Sequence, residues 1–172
     1  MASAEAIAHQ EARAATAQAV AQAVLQRWSL VDTGAIAASW GGMLEPVLAL
    51  IGAGQITTVQ QAEQYMAVLL GSEVPDTRLN PRAFAGLSPD GRPLPSLLTL
   101  PVRAALGAIS AGKPLTAAMA HGAALLDMIA RTVIADTGRM ADQAAMVSTP
   151  AVTSYVRVVE TPACARCIIL AG

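Results

Sequence analysis

Six of the ten prolines fall between Ser72 and Pro101, at positions 75, 81, 89, 93, 95 and 101. Proline brings no N–H to a hydrogen-bond ladder and locks φ, so neither a helix interior nor a central strand runs through such a cluster. The chain is thereby cut into two blocks, and both carry helical spacing. In the first block, Val20, Val24 and Trp28, with Leu25 beside them, recur at the helical period over Ser3 to about Trp28. The stripe is narrow, and a neighbour outside the domain is expected to cover it. Asp32-Thr33 reads as the N-cap of a second helix. There Ile36, Trp40, Met43, Leu44, Val47, Leu48 and Ile51 share a face. Pro46, near Gly41-Gly42, predicts a kink, and Gly52-Ala53-Gly54 a stop. Thr58 with Gln61 resembles a capping box opening a third helix that Gly71 ends.

In the second block a helix is predicted from about Pro101 to Ala111, with Gly112 at C′. Pro114 suits the first turn of the next helix, which carries Leu115, Met119, Leu126, Ile129 and Val133 to near Met146. Between the blocks, Ser88-Pro89-Asp90-Gly91 is a turn by residue type. An arm of this length is a lid, a linker or a strap, and the expectation is a strap laid on a partner, with Pro93 and Pro95 in the contact. Only Tyr155 to Leu170 reads as strand, turn, strand: Val156, Val158 and Val159 favour extended backbone, and Thr161-Pro162 breaks it. The expected fold is mainly α: a helical domain over 1–150 with the arm at about 72–100, then a β-hairpin with a cysteine knuckle over 151–172.

Hydrophobic residues make up 54% of the chain but aromatics only 3%, and alanine dominates. Alanine favours helix and buries little area, so the core is expected to be thin and partners to supply order. A net charge of −1 leaves no electrostatic footprint for nucleic acid. The start lacks a secretory signal pattern. Glu45, Arg103, Lys113 and Asp127 interrupt every apolar run of membrane-spanning length. The reading is a soluble cytosolic protein.

The motifs that could carry chemistry compete with plainer explanations. Gly107 to Lys113 has the spacing of a phosphate loop up to its lysine, but Pro114 stands where a magnesium-binding hydroxyl is needed. A C′ glycine followed by a helix start explains the same residues. Asp32-Thr33-Gly34 and Asp136-Thr137-Gly138 form a pair of tripeptides such as aspartic proteases use, yet both flank alanine-rich helices. His9 and His121 sit in no zinc-protease spacing, and no hydrolase elbow exists, so no catalytic residue is assigned. Trp28 and Trp40 fit core packing, with partner-binding anchors as the alternative. Cys164-Ala165-Arg166-Cys167 supplies two ligands of a tetrahedral zinc site, two free thiols, or a redox pair.

Taken together, Tyr155-Val156-Arg157-Val158, then Thr161-Pro162-Ala163-Cys164-Ala165-Arg166-Cys167 and Ile169-Leu170-Ala171-Gly172, resemble the Mu F-like minor capsid, or head-morphogenesis, proteins of tailed bacteriophages of actinobacteria. Asp32 starting a helix, Ala38-Ser39-Trp40, Leu48-Ala49-Leu50, the proline-rich middle and Ala111-Gly112-Lys113-Pro114 follow in the family's order. The resemblance spans nearly the whole chain, and only its end is specific. It implies a structural virion component that binds the portal protein or the major capsid protein in multiple copies. The place is inside the head or at the portal vertex, after assembly in the host cytoplasm. Some relatives are labelled capsid maturation protease, which is the alternative. Relatives continue past the Cys-x-x-Cys into a His and Cys-x-Cys cluster. By resemblance, then, Cys164 and Cys167 are half of a zinc knuckle. The expectation is a truncated site that holds no cofactor here and zinc in a longer form.

Overall fold

The computed structural model describes residues 3–71, 78–88 and 90–154. The expected hairpin and its cysteines lie, from Tyr155 on, outside them.

Helix α1 spans Ala4–Trp28, α2 Ile36–Leu70, α3 the single turn Leu94–Leu97, α4 Leu100–Ser110 and α5 Leu115–Val147. Among the described residues the only β-type pairing is the Leu87–Pro93 bridge. The chain is thus mainly α. Its frame is three long helices: α1 runs antiparallel to both α2 and α5, which are parallel to each other. The contacts give the directions. Trp28 meets Trp40 and Met119 at one end. Gly54 lies against Val20 and Ile134 in the middle. His9 meets Tyr65 and Asp142 at the other end.

Local chemistry explains most of the boundaries. Ser3 caps α1 by accepting the Ala6 N–H at 3.2 Å. Helix α4 ends in a Schellman motif: Gly112 takes φ +77, its N–H donates to Ile109 O at 2.9 Å, and the Lys113 N–H donates to Ala108 O at 3.0 Å. Pro114 then leads into α5, so α4 folds back on α5 as a hairpin.

Several expectations are corrected. Helix α2 is a single helix of 35 residues through Pro46, Gly54 and Thr58. The supposed stop and capping box are the points where other helices cross it. A Cβ on Gly54 would lie 2.4 Å from Val20 Cγ2, so the glycine is there for close approach. The Thr58 hydroxyl donates back to Gly54 O at 2.8 Å within the helix, and Gln61 donates to Thr16 of α1 at 2.9 Å. Asp32 does not cap α2, whose N-cap is Ala35 without a side-chain bond; Asp32 Oδ1 accepts the Gly34 N–H at 2.9 Å in a local turn. The narrow stripe of α1 finds its cover within the chain: Ala17, Ala21, Val24 and Trp28 are buried, with Trp28 and Val24 in one core cluster with Val47, Ile51 and Ile134.

The proline-rich stretch also departs from expectation. Its described residues are laid on this chain's own helices. From Leu79 it runs back along α2, past Gln55 near Gly86 and Leu87, to Trp40 at Leu98. Leu94 and Leu98 are fully buried beneath it, whereas Pro93 and Pro95 are exposed. Charges do interrupt the long apolar runs, with Glu45 and Glu63 in α2 and Asp127 in α5, yet each helix still holds an 18-residue window, of mean hydropathy 1.4 and 1.3, long and apolar enough to cross a membrane by length and composition. In the fold both lie side by side in the three-helix frame.

Candidate functional site

Three places gather polar or open chemistry. The first is a pin across the far end of the frame. His9 of α1 stacks flat on Tyr65 of α2, ring centroids 4.2 Å apart and planes within 4°. Its Nε2 is 2.9 Å from Asp142 Oδ1 of α5. The other carboxylate oxygen of Asp142 accepts from Arg13 Nη1, and Arg13 Nη2 donates to Ala135 O at 3.2 Å. Gly138 makes room for that guanidinium: a Cβ there would sit 2.5 Å from Arg13 Nε. Partial burial, then the negative charges of Asp142 and Glu5, push the Tyr65 phenol above its ordinary range. Asp142 thus serves His9 and Arg13 with its two oxygens. The pin joins three helices.

The second place is the Gln55 amide, fully buried. Its Nε2 donates to Leu87 O at 2.8 Å and to Thr137 Oγ1 at 3.1 Å, and its Oε1 accepts the Gly86 N–H at 3.0 Å. One side chain of α2 thereby ties the proline-rich strap to α5. A buried amide keeps its place only when its donors and acceptor are met, and here each group is engaged.

The third is a groove of about 250 Å³ between the Ser88–Arg92 turn, the start of α4 and the outer stripe of α5. Leu97, Leu100, Leu125, Ile129 and Val133 line it, with Asp90 and Asp136 at its polar end. Both carboxylates are occupied, Asp90 by Arg92 at 2.6 Å and Asp136 by Arg139. The Arg92 guanidinium, then the Ser88 hydroxyl, hold Asp90 down to about 2 from 3.8.

The residues singled out from sequence fall as follows. Trp28 and Trp40 are core residues, 4% and 2% exposed, and not surface anchors. They meet edge to face at 5.2 Å, and their indole N–H groups donate to Met119 O at 3.1 Å and Leu98 O at 2.7 Å. Pro93 and Pro95 are on the surface of the strap. Asp32 and Asp136 are not brought together. Asp32 follows Trp28, which touches Met119, and Asp136 lies roughly 25 Å further along α5 at the helical rise. In the second tripeptide, Thr137 serves Gln55 and Gly138 serves Arg13. Gly107 to Lys113 is the end of α4 and its Schellman turn. Cys164 and Cys167 lie outside the described residues. Among the described residues no three His, Cys, Asp or Glu side chains group to hold a metal ion. The His9–Asp142 and Gln55 sites were not foreseen. Each joins residues from segments tens of positions apart, which leaves no local motif to read.

No protein-family model, curated protein or solved structure matches this chain.

Proposed function

We propose that the chain is a structural minor capsid protein of a tailed phage, binding the portal protein, the major capsid protein or both while the head assembles. One observation carries the reading: the likeness of the Tyr155 to Gly172 Cys-x-x-Cys segment, behind a helical body and a proline-rich middle in the family's order. The helical body agrees with the mainly α architecture the resemblance implies. The docking surface in this reading is not the strap's inner face or the tryptophans, since the chain's own helices occupy both. It belongs to outward faces, where Leu106, Ile109, Met128 and Val147 are exposed.

The test is co-expression with portal and major capsid proteins of an actinobacteriophage, followed by gradient sedimentation. The chain is expected to travel with portal rings or proheads. A chain that stays monomeric at the top of the gradient with either protein present overturns the proposal. Cleavage of immature capsid protein by the purified chain would replace it with the protease reading.

A further inference from the structure

The proline-rich strap is held to the body very unevenly. From Leu94 onward it is sealed: Leu94, Leu97 and Leu98 are 0%, 7% and 0% exposed, and Trp40 grips the Leu98 carbonyl. The portion before it is different. The 3₁₀ turn Pro81–Phe84 has no buried residue. Its own bonds are internal, with Asn80 accepting the Arg82 N–H at 3.2 Å and the Ala83 N–H at 3.0 Å. Two side chains of α2 hold its ends. Glu63 Oε1 accepts the Leu79 N–H at 2.8 Å, and Gln55 accepts from Gly86 and donates to Leu87. Between these ends, Leu79 and Phe84 are only partly buried, yet they cover Val59, Ala62 and Ala141, each fully buried. Gly86, at φ +88, marks the change from loosely held to sealed strap.

We propose that residues 79–86 form a clasp that opens as a unit about Gly86 while the three-helix frame stays folded, uncovering Val59, Ala62 and Ala141. The segment keeps its own turn when it leaves, because the Asn80 bonds travel with it. What it gives up is two end contacts and the partial cover of one leucine and one phenylalanine. Segments with few buried apolar contacts open locally, far below the free energy of global unfolding. Glu63 and Gln55 are the two ends of the latch. Gln55 stays bonded to Thr137 in the open form, so α2 and α5 remain tied.

Hydrogen exchange on the full chain tests this. The Leu79 and Gly86 amides, whose acceptors Glu63 and Gln55 stay behind on α2, are expected to exchange about 100-fold faster than those around Val59 and Ala141, while Arg82 and Ala83 keep the protection of the Asn80 turn. Glu63→Ala should speed the Gly86 amide, which keeps its own acceptor on Gln55, about fivefold and leave α1 and α5 unchanged. Equal protection of clasp and core, or acceleration of every helix alike, overturns the proposal. Gln55→Ala carries a risk of misfolding, and Glu63→Ala decides without it. A second readout follows the uncovered face. With Cys164 and Cys167 replaced by serine, the thiol of Ala62→Cys should be labelled under native conditions, and faster when combined with Glu63→Ala. Labelling only upon global unfolding overturns it.

Discussion

At the scale of single residues, glycines in the helices divide by what surrounds them. A Cβ on Gly122 would meet Trp28 Cζ2 at 2.4 Å and the Pro101 carbonyl at 2.9 Å, whereas one on Gly52 meets nothing within 4 Å. The first glycine lets an indole lie on α5; the second has no such task. Gly122→Ala is therefore expected to cost about 1–3 kcal/mol by overpacking. Gly52→Ala should stabilise by about 0.5–1 kcal/mol, because alanine removes backbone entropy from the unfolded chain. Urea midpoints of the two variants, moving in opposite directions, check both. Asp90 gives a prediction in pH. Its carboxyl is held down to about 2, below the ordinary 3.8, by Arg92 and Ser88. A depressed acid stabilises the folded form above its unfolded pKa and loses that contribution as pH falls through the folded value. The Ser88–Arg92 turn should thus hold at pH 4 and loosen on approach to about 2, with an NMR titration of Asp90 reporting the low midpoint.

Elements extend the same reasoning. Helix α2 continues through Pro46, which is exposed and has no N–H for the Gly42 carbonyl. Pro46→Ala should restore that bond and raise the thermal midpoint, with a gain of about 1–3 kcal/mol. The pin between α1 and α5 works in the other direction. Asp142→Ala strips His9 and Arg13 of their shared carboxylate and leaves a half-buried guanidinium unpaired. A loss of about 2 kcal/mol is expected in denaturant unfolding. These elements also show what a sequence discloses. The bounds of α1, α4 and α5 were legible, because Ser3, Gly112 and Pro114 act on neighbours a few residues away. The continuity of α2 was not. Gly52-Ala53-Gly54 has the form of a stop, and only Val20 and Ile134, brought by other helices, make Gly54 a crossing point. The strap was read as facing a partner because its prolines are visible in the sequence. The Gln55 amide that fastens it inward lies 31 residues from Gly86. Likewise, His9 meets Asp142 across 133 positions.

For the whole molecule, connectivity follows from α2 and α5 being parallel. A parallel pair needs a return path, and the strap with α4 supplies it. The contacts of α5 with α1 and α2 therefore span long sequence separations, which slows folding relative to a bundle of sequence neighbours. The antiparallel pairing of α1 with α5 has a mechanical outcome. Ala4 and Val147 sit at one pole, each five positions outside the His9–Asp142 contact. Tension applied through those two positions would peel the helices apart pair by pair, loading the pin first. Tension between Thr33, at the opposite pole, and Val147 would have to shear α5 along its length. An optical-trap comparison should find the first geometry giving way at the lower force. Strength under load in this fold is thus a matter of direction, weak where both handles sit at the His9 pole and strong where they lie at opposite poles.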